Sequence, residues 1–413
     1  MQRCDYLASF SDDAEVLFRP FLSPATQRLH GVLREYMQAA HMSVHCDALG
    51  NLIGRYVSPH PDAKTLLLGS HIDTVVNAGK YDGILGVLIG IAVVDALQDS
   101  AQDTAKSTAL PFHVDVVALS EEEGVRFGVP FLGSLALSGQ FDEALLELTD
   151  DQNVSVRQAL TDFGCNTTPI SNAAYHNGTY RNGTYRNALA YLEVHIEQGP
   201  YLETVNQPLG IVSHIAGQSR AHLTFHGEAG HAGTVPMHLR KDALAAAAEV
   251  VLEIERLAHS QDHLVATVGR IQAEPGAINV IAAAVSLTLD VRHPQDDMRL
   301  AAVQHLLDHA QQVCAKRHVQ LDWQTLSEQA ATPLEPELAE SLQQLLPHAP
   351  TMISGAGHDA MVIAKTIPSA LLFVRSPNGI SHHPDETVLE PDVAAAIDAV
   401  CRFVGHLAET HSK

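Results

Sequence analysis

Two short apolar runs dominate the pattern in the first third of the chain. Residues 65–69 and 112–119 are almost continuously apolar, and the Gly-punctuated stretch 84–97 between them has the length of a helix. Continuous apolar runs of this length predict strands that are buried on both faces, as in a parallel or mixed sheet covered by helices. The order strand, helix, strand therefore predicts an α/β domain with a parallel or mixed sheet.

A third strand shows alternation instead. Across residues 190–196, aliphatic side chains occupy one side, and His195 lies on the opposite side at the end of the strand. Further along, residues 370–374 predict another buried strand and residues 391–407 a closing helix. A five-residue repeat within 176–187 is rich in turn-forming residues and predicts a surface loop.

From about residue 212 the pattern changes to that of a small α+β unit. It predicts two helices, at 241–258 and 298–317, and four strands, at 221–226, 264–272, 279–291 and 319–326. Motifs with metal-binding residue types occur both before and after this unit. We therefore predict a catalytic domain made of residues 1–211 and 328–413, interrupted by an inserted domain at 212–327.

Length and charge narrow the functional classes. A chain of 413 residues exceeds the usual size of one core, so two domains are the default expectation. The net charge of -23 argues against nucleic-acid or anionic membrane partners, because phosphates attract basic surfaces. The five cysteines are scattered and odd in number, and no signal peptide or long apolar stretch is visible, so we expect a cytoplasmic protein.

Five separated segments carry side chains that commonly bind metals. They are residues 69–73 (Gly-Ser-His-Ile-Asp), 81–83 (Tyr-Asp-Gly), 121–124 (Glu-Glu-Glu-Gly), 195–198 (His-Ile-Glu-Gln) and 381–384 (Ser-His-His-Pro). Imidazole and carboxylate suit zinc or manganese, and a pair of ions needs one group that bridges them. Asp82 suits the bridge, and Asp73 suits a partner that holds the second ring nitrogen of His71.

The three consecutive glutamates allow two interpretations. They could form a solvated acidic loop, but they directly follow a buried strand, where the functional loops of open α/β sheets gather. Two adjacent glutamates can then serve two purposes. Glu123 could bind a metal ion, while Glu122 acts as general base on the attacking water and later gives the proton to the leaving nitrogen.

At these motifs the sequence resembles a known family. It is similar to the allantoate amidohydrolase and N-carbamoyl-L-amino-acid hydrolase family, within the two-metal aminoacylase and carboxypeptidase superfamily. The resemblance runs from about residue 50 to the closing helix, through residues 69–77, 122–127, 195–200, 231–237, 354–360 and 379–382. One departure is Ala282-Ala283, where similar enzymes usually have Pro-Gly.

The resemblance implies a ligand set of five residues. One ion, zinc or manganese, would be bound by His71, Asp82 and His195, and the other by Asp82, Glu123 and His382. Glu122 would be the base. Because His382 and His383 are adjacent, the last ligand is open between them, and the Gly-Ile-Ser-His pattern favours His382.

The resemblance also implies how substrate is bound. The inserted domain would cover the site, pair two subunits and contact the substrate through Gln218, His231, Asn279 and Arg292. The catalytic domain would add Gly357 and His358 to the residues near the substrate. Arg292 would bind a substrate carboxylate with its planar fork. His231 would donate to the oxyanion that develops on the attacked carbonyl.

The leading hypothesis is hydrolysis of a ureido C–N bond in allantoate, giving ureidoglycine, ammonia and carbon dioxide. The alternative is hydrolysis of an N-carbamoyl-L-amino acid or N-carbamoyl-β-alanine by the same machinery. A third reading, a non-catalytic dimer used for binding, predicts loss of a ligand or the base, and the sequence retains them all.

Overall fold

The computed structural model describes residues 1–102, 110–166, 170–176 and 186–411. The loop predicted at 176–187 lies largely outside these ranges. Contacts divide the chain into unit 1, Met1–Ser213 with Leu334–Lys413, and unit 2, His214–Pro333. Unit 2 ends six residues beyond the predicted end of the insertion at 327. The difference arises because the last long strand of unit 2 continues to Gln329 and a short strand follows it.

Unit 1 begins with alternating helices and strands. In chain order they are α1 (Gln2–Leu7), α2 (Pro24–Ala39), β1 (Ser43–Cys46), β2 (Leu52–Tyr56), β3 (Thr65–His71), α3 (Ile84–Gln102), β4 (His113–Leu119), α4 (Leu132–Leu137), α5 (Val156–Phe163), β5 (Tyr175–His176), β6 (Arg186–Ile196), α6 (Tyr201–Thr204) and β7 (Leu209–Ile215).

Unit 2 and the return to unit 1 follow. Unit 2 contains β8 (Gly217–His226), β9 (Gly230–His231), α7 (Ala243–Ser260), β10 (Val265–Thr267), β11 (Ile271–Glu274), β12 (Val280–Ile281), β13 (Ala284–His293), α8 (Asp296–Arg317), β14 (Gln320–Gln329) and β15 (Thr332–Pro333). The final segment contains α9 (Pro336–Leu345), β16 (Thr351–Ser354), α10 (Asp359–Ile363), β17 (Ser369–Val374) and α11 (Glu390–His411).

The main sheet of unit 1 is mixed, within the prediction of a parallel or mixed sheet. Its strand order is β1-β2-β4-β3-β6-β17-β7, with β16 beside β7, β5 beside β6, and β15 pairing with the end of β7. The four central strands β4, β3, β6 and β17 are parallel, while β2 and β7 flank them antiparallel. Every residue of β3, β4 and β17 is buried, which explains their continuous apolar runs.

The last strand of the chain lies inside this sheet. β17 pairs with β6 on one side and with β7 on the other, although β6 and β7 are neighbours in sequence. Helix α3 packs on β3, β4 and β6, and also against α11. The main core of unit 1 therefore joins residues from both ends of the chain.

Unit 2 is a sheet with helices α7 and α8 packed against it. Its strand order is β10-β13-β8-β14, with β11 also beside β13, and β9 and β12 form a separate pair. Alternate residues of β13 are buried, and Leu223, Phe225, Val250 and Leu306 belong to the core that the sheet shares with the helices. The prediction of one strand over 264–272 was wrong, because the chain forms β10 and β11 with a break at 268–270.

No helix within the described residues is long and apolar enough to cross a membrane.

Candidate metal centre

The predicted ligand segments meet at one edge of the main sheet. β3 ends at His71, level with Leu119 at the end of β4, and His195 lies level with Phe373 near the end of β17. Because the carboxyl ends of parallel strands share one edge, the loops that follow them lie close together. The glutamates after β4 and the segment after β17 extend from the same edge.

Asp82 lies at the centre of the cluster. Its Oδ1 is 3.5 Å from Nε2 of His71 and 3.1 Å from Nε2 of His195, while its Oδ2 is 3.3 Å from Nε2 of His382. Glu123 Oε1 is 3.7 Å from the same nitrogen of His382. Potential ligand atoms of His71, Asp82 and His195 form one compact group, and those of Asp82, Glu123 and His382 form another. One carboxylate thus faces both groups with different oxygens.

The ring nitrogens of two histidines are oriented for metal binding. Nδ1 of His71 lies 3.0 Å from the carbonyl oxygen of Asp73, and Nδ1 of His195 lies 2.9 Å from the carbonyl oxygen of Ile196. A carbonyl can only accept a hydrogen bond, so each Nδ1 carries a proton, which leaves Nε2 as the nitrogen that can bind a metal ion once it is deprotonated. Both Nε2 atoms point at Asp82, so the donor set fits divalent ions.

Charge around Asp82 favours its ionised form. Against the cost of burial, hydrogen bonds from His195, His382 and His71 hold the pKa of Asp82 well below its usual range. The following residue, Gly83, has φ +66°, and a Cβ placed there would lie 2.5 Å from the ring of His71. Glycine is therefore required for the imidazole of His71 and the carboxylate of Asp82 to approach each other.

The carboxylate of Asp73 forms its hydrogen bonds with the glutamate loop. Its carboxylate is 3.7 Å from Nδ1 of His71, beyond hydrogen-bond distance, and the backbone carbonyl takes that position instead. The two carboxylate oxygens each accept a hydrogen bond of 3.0 Å, from the backbone N–H groups of Glu122 and Glu123. Asp73 thus fixes the glutamate loop relative to the end of β3.

The three glutamates have distinct surroundings. Glu121 is fully buried with φ +56°, and burial raises its pKa to about 9, so it is neutral at pH 7. Burial, together with the charges of Glu123 and Asp359, raises the pKa of Glu122 well above its usual range. Burial and the charges of Asp82 and Asp73 raise the pKa of Glu123 to about 7. The interpretation as a solvated acidic loop is wrong, because the side chains lie inside the protein.

The structure brings His382, and not His383, to the cluster. Nδ1 of His383 is 3.6 Å from Oδ2 of Asp385, and both side chains are more than half exposed. His382 has φ +53°, in the left-handed region, and this turn directs the two adjacent rings differently.

Several neighbours of the cluster were not predicted. Nε2 of Gln198 is 3.3 and 3.4 Å from the two oxygens of Asp82. Glu193 is fully buried, accepts a hydrogen bond of 2.8 Å from the N–H of Ala360 and lies two residues before His195. The alternation across 190–196 placed Glu193 on the same side of the strand as His195, so that signal was available. Gln198 had no signal beyond its proximity to His195 in sequence.

His358 and Gly357 lie in unit 1 beside the cluster. His358 is buried, its ring stands edge-on to that of His195 at 4.6 Å, and its Nε2 is 2.9 Å from Oγ of Ser354. A Cβ on Gly357 would lie 3.1 Å from Phe131 and 3.9 Å from Oε1 of Glu122. Gly357 therefore keeps space next to the predicted base, and His358 supports the ring of His195.

The four residues predicted to contact substrate from unit 2 form two pairs. Gln218 and Arg292 are paired across β8 and β13, and Asp290 accepts hydrogen bonds from both side chains. His231 pairs with Val280, next to Asn279, whose carbonyl accepts from the N–H of Ala232. The first pair lies near one end of the β8–β13 ladder and the second lies beyond the other end.

Comparisons with known proteins add a family and relatives. Residues 67–406 match the family model described as peptidase family M20/M25/M40. The chain is 37% identical to allantoate deiminase of Arabidopsis thaliana, over 97% of this chain and 81% of that protein. It is 40% identical to an N-carbamoyl-L-amino-acid amidohydrolase of a Pseudomonas strain, over 86% and 84%. A hydantoinase/carbamoylase family amidase of Burkholderia multivorans has a similar structure, with a TM-score of 0.88, 27% identity and coverage of 98% of this chain and 95% of that one.

Proposed function

The chain belongs to peptidase family M20/M25/M40, and from the cluster around Asp82 we propose that it hydrolyses a ureido C–N bond of allantoate. The reaction consumes water and gives ureidoglycine, ammonia and carbon dioxide. The observation that carries this proposal is the bridging geometry of Asp82, whose Oδ1 faces His71 and His195 while its Oδ2 faces His382. The choice of allantoate is supported by the relative of that activity, which matches 97% of the chain.

Two divalent ions, zinc or manganese, would be held by the two groups of side chains. His71, Asp82 and His195 would bind one, and Asp82, Glu123 and His382 the other. Imidazole and carboxylate accept both metals, so the donor set leaves the choice between them open. When bound, the ions polarise the substrate carbonyl and lower the pKa of the attacking water.

Glu122 is the general base in this proposal. It is nine-tenths buried at the cluster, and its raised pKa suits a group that takes a proton from water and then returns it to the leaving nitrogen. Hydrogen bonds from its backbone and that of Glu123 to Asp73 keep the two glutamates in fixed positions. His231 donates to the oxyanion on the attacked carbonyl.

Arg292 binds the substrate carboxylate, assisted by Gln218. Asp290 orients the guanidinium, accepting at 2.9 and 3.0 Å from Nε and Nη2 of Arg292, so the fork is held before substrate arrives. Asn279, Gly357 and His358 complete the predicted substrate contacts.

We also propose a homodimer paired through unit 2, which the separation of the two residue pairs supports. Gln218 and His226 are eight positions apart along β8, which is about 26 Å, and His231 follows that end of the strand in the chain. A substrate the size of allantoate does not span this distance, so we propose that Arg292 and His231 at one active site come from different subunits.

The five cysteines are scattered and odd in number, which fits a reducing compartment, so we propose that the protein is located in the cytoplasm.

An N-carbamoyl-L-amino-acid hydrolase is the second candidate. A relative of that activity is 40% identical, and the same base and carboxylate-binding arginine would serve it. A non-catalytic scaffold is disfavoured because the base and all five predicted ligands are present and clustered.

Ammonia release from allantoate, compared with release from N-carbamoyl-L-amino acids and N-carbamoyl-β-alanine, tests the proposal. We expect kcat/KM to be highest for allantoate. The Glu122→Gln variant tests the role of Glu122 as the base, because the substitution keeps the size of the side chain and removes the group that takes the proton. It should lower kcat by about 10²- to 10⁴-fold while metal content stays unchanged.

Two results would contradict parts of this proposal. Faster turnover of N-carbamoyl amino acids would reassign the substrate and leave the chemistry intact. An unchanged kcat in the Glu122→Gln protein would remove Glu122 as base.

A further inference from the structure

Glu386 joins two distant parts of the predicted metal centre. Its Oε1 accepts hydrogen bonds of 3.1 Å from the backbone N–H groups of both Tyr81 and Asp82, more than 300 residues earlier in the chain. Its Oε2 lies 3.4 Å from Oγ of Ser381, the residue before His382. One carboxylate therefore contacts the backbone that carries the bridging residue and the segment that carries the last ligand.

The fold makes room for this carboxylate. Glu386 is 1% exposed, and a Cβ on Gly79 would lie 2.2 Å from its Cδ. Any side chain at position 79 would thus displace the carboxylate. Helix α3 begins at Ile84, two residues after Asp82, so the N–H groups that Glu386 accepts from lie just before a helix N-terminus, where negative charge is stabilised.

The segment around His382 needs such a tether. The side chain of His382 is 49% exposed, and the residue lies outside any helix or strand, with φ +53°. The N–H of Glu386 donates to the carbonyl of His383 at 3.0 Å, which closes a turn over residues 383–386. The carboxylate then connects this turn to the backbone of Asp82.

We propose that Glu386 is a positioning residue of the metal centre. It holds Asp82 and His382 at the separation needed to bind the ion between Asp82, Glu123 and His382, which we call the second ion; the ion between His71, Asp82 and His195 is the first ion. The inference rests on the proposed function, because it requires the two-metal site. The ion between Asp82, Glu123 and His382 depends on both tethered segments. The ion between His71, Asp82 and His195 depends on only one of them and also has two ligands on the rigid sheet.

Titration of the metal-free full chain with Zn²⁺ or Mn²⁺, followed by calorimetry and metal analysis, tests the proposal. The Glu386→Ala substitution should lower the affinity for the second ion by about 10- to 100-fold and the affinity for the first ion much less. Glu386→Gln should stay within about threefold of the wild type, because its Oε1 still accepts from both N–H groups and its amide can donate to Ser381.

Asp115→Ala is the control for the loss of a buried carboxylate. Asp115 is fully buried on β4 and pairs with Arg55 at 2.7 Å, but it lies level with Leu67, four residues before His71. This variant should lose stability and keep both metal affinities. If Glu386→Ala does not fold, Glu386→Asp, which keeps the charge and shortens the reach, provides the same readout.

The outcomes separate this inference from the proposed function. Uptake of fewer than two ions by the wild type would overturn the two-metal site and the role of Glu386 with it. Two ions in the wild type and unchanged affinities in Glu386→Ala would overturn the positioning role alone. If Glu386→Ala and Asp115→Ala lowered the affinity for the second ion equally, the positioning role would also be overturned, because general destabilisation of the protein would then explain the lower affinity.

Discussion

At the residue scale, His30 shows how burial acts on a titratable group outside the metal centre. It lies in α2, is 6% exposed, and its ring packs edge-on against Phe163 at 5.1 Å. Within the described residues, its Nε2 has no hydrogen-bond partner. Burial, with a smaller contribution from the charge of Arg34, lowers the pKa of His30 to about 4.

A pH dependence of stability follows from this shift. Between pH 6.5 and 4 the unfolded chain binds a proton at His30 that the folded protein does not, so stability falls as pH falls through this window. His30→Leu removes the effect. The difference in unfolding free energy between wild type and variant should change by up to about 3 kcal/mol between pH 7 and pH 4. Urea unfolding at several pH values measures it, and a difference that is independent of pH would contradict the assignment.

Sequence reasoning at this scale identified residue types better than their contacts. The histidines and carboxylates were found because their chemistry and position after strands are visible in the sequence. The contacts of Asp73 were not, because the choice between its carboxylate and its carbonyl depends on differences of less than 1 Å around His71. Glu386 was missed because its partners are backbone N–H groups, which every residue except proline offers.

At the element scale, strong local patterns were predictive and weak ones were not. The continuous apolar runs at 65–69 and 112–119 predicted β3 and β4, and the helical pattern at 241–258 predicted α7. β1 and β7 were missed. β7 mixes apolar residues with Gly210, Ser213 and His214, and its partner β17 comes more than 150 residues later. Its formation depends on that distant strand more than on its own pattern.

Two helical glycines provide a matched pair for testing the packing of α3. A Cβ on Gly86 in α3 would lie 2.0 Å from the carbonyl oxygen of Val194, whereas a Cβ on Gly31 in α2 has nothing within 4 Å. Gly86→Ala should therefore push α3 from the sheet and destabilise the protein by about 1–3 kcal/mol. Gly31→Ala should stabilise it by about 0.5–1 kcal/mol, because alanine favours helix. Chemical unfolding measures both, and equal effects would contradict the close approach of α3 to β6.

At the scale of the whole molecule, unit 1 consists of two separate segments of the chain, and the prediction of an insertion rested on motifs of one site that lie on both sides of it. The neighbours of each strand were not predictable. Local patterns contain no information on which strand pairs with which, so the position of β17 between β6 and β7 had to come from the structure.

The proposed exchange of residues between subunits has a direct test at this scale. Arg292→Ala and His231→Ala proteins should each be nearly inactive alone. If one site takes these residues from different subunits, each mixed dimer keeps one complete site. An equal mixture, unfolded and refolded together, should then recover about a quarter of wild-type activity. If both residues serve the same subunit's site, no activity returns, and sequential purification of the two variants with different affinity tags shows whether mixed dimers have formed.

The central position of β17 also constrains how the protein is made. During synthesis β6 and β7 leave the ribosome early, and all of unit 2 follows before β17 appears. Until then, the strand edges of β6 and β7 that will later pair with β17 are without that partner, and their unpaired backbone groups can form hydrogen bonds with strands of other chains. The nascent chain is therefore most vulnerable to aggregation while unit 2 is being translated. In the proposed two-metal site His382 follows β17, so the ion that it binds can be taken up, and activity can begin, only after this vulnerable period has ended.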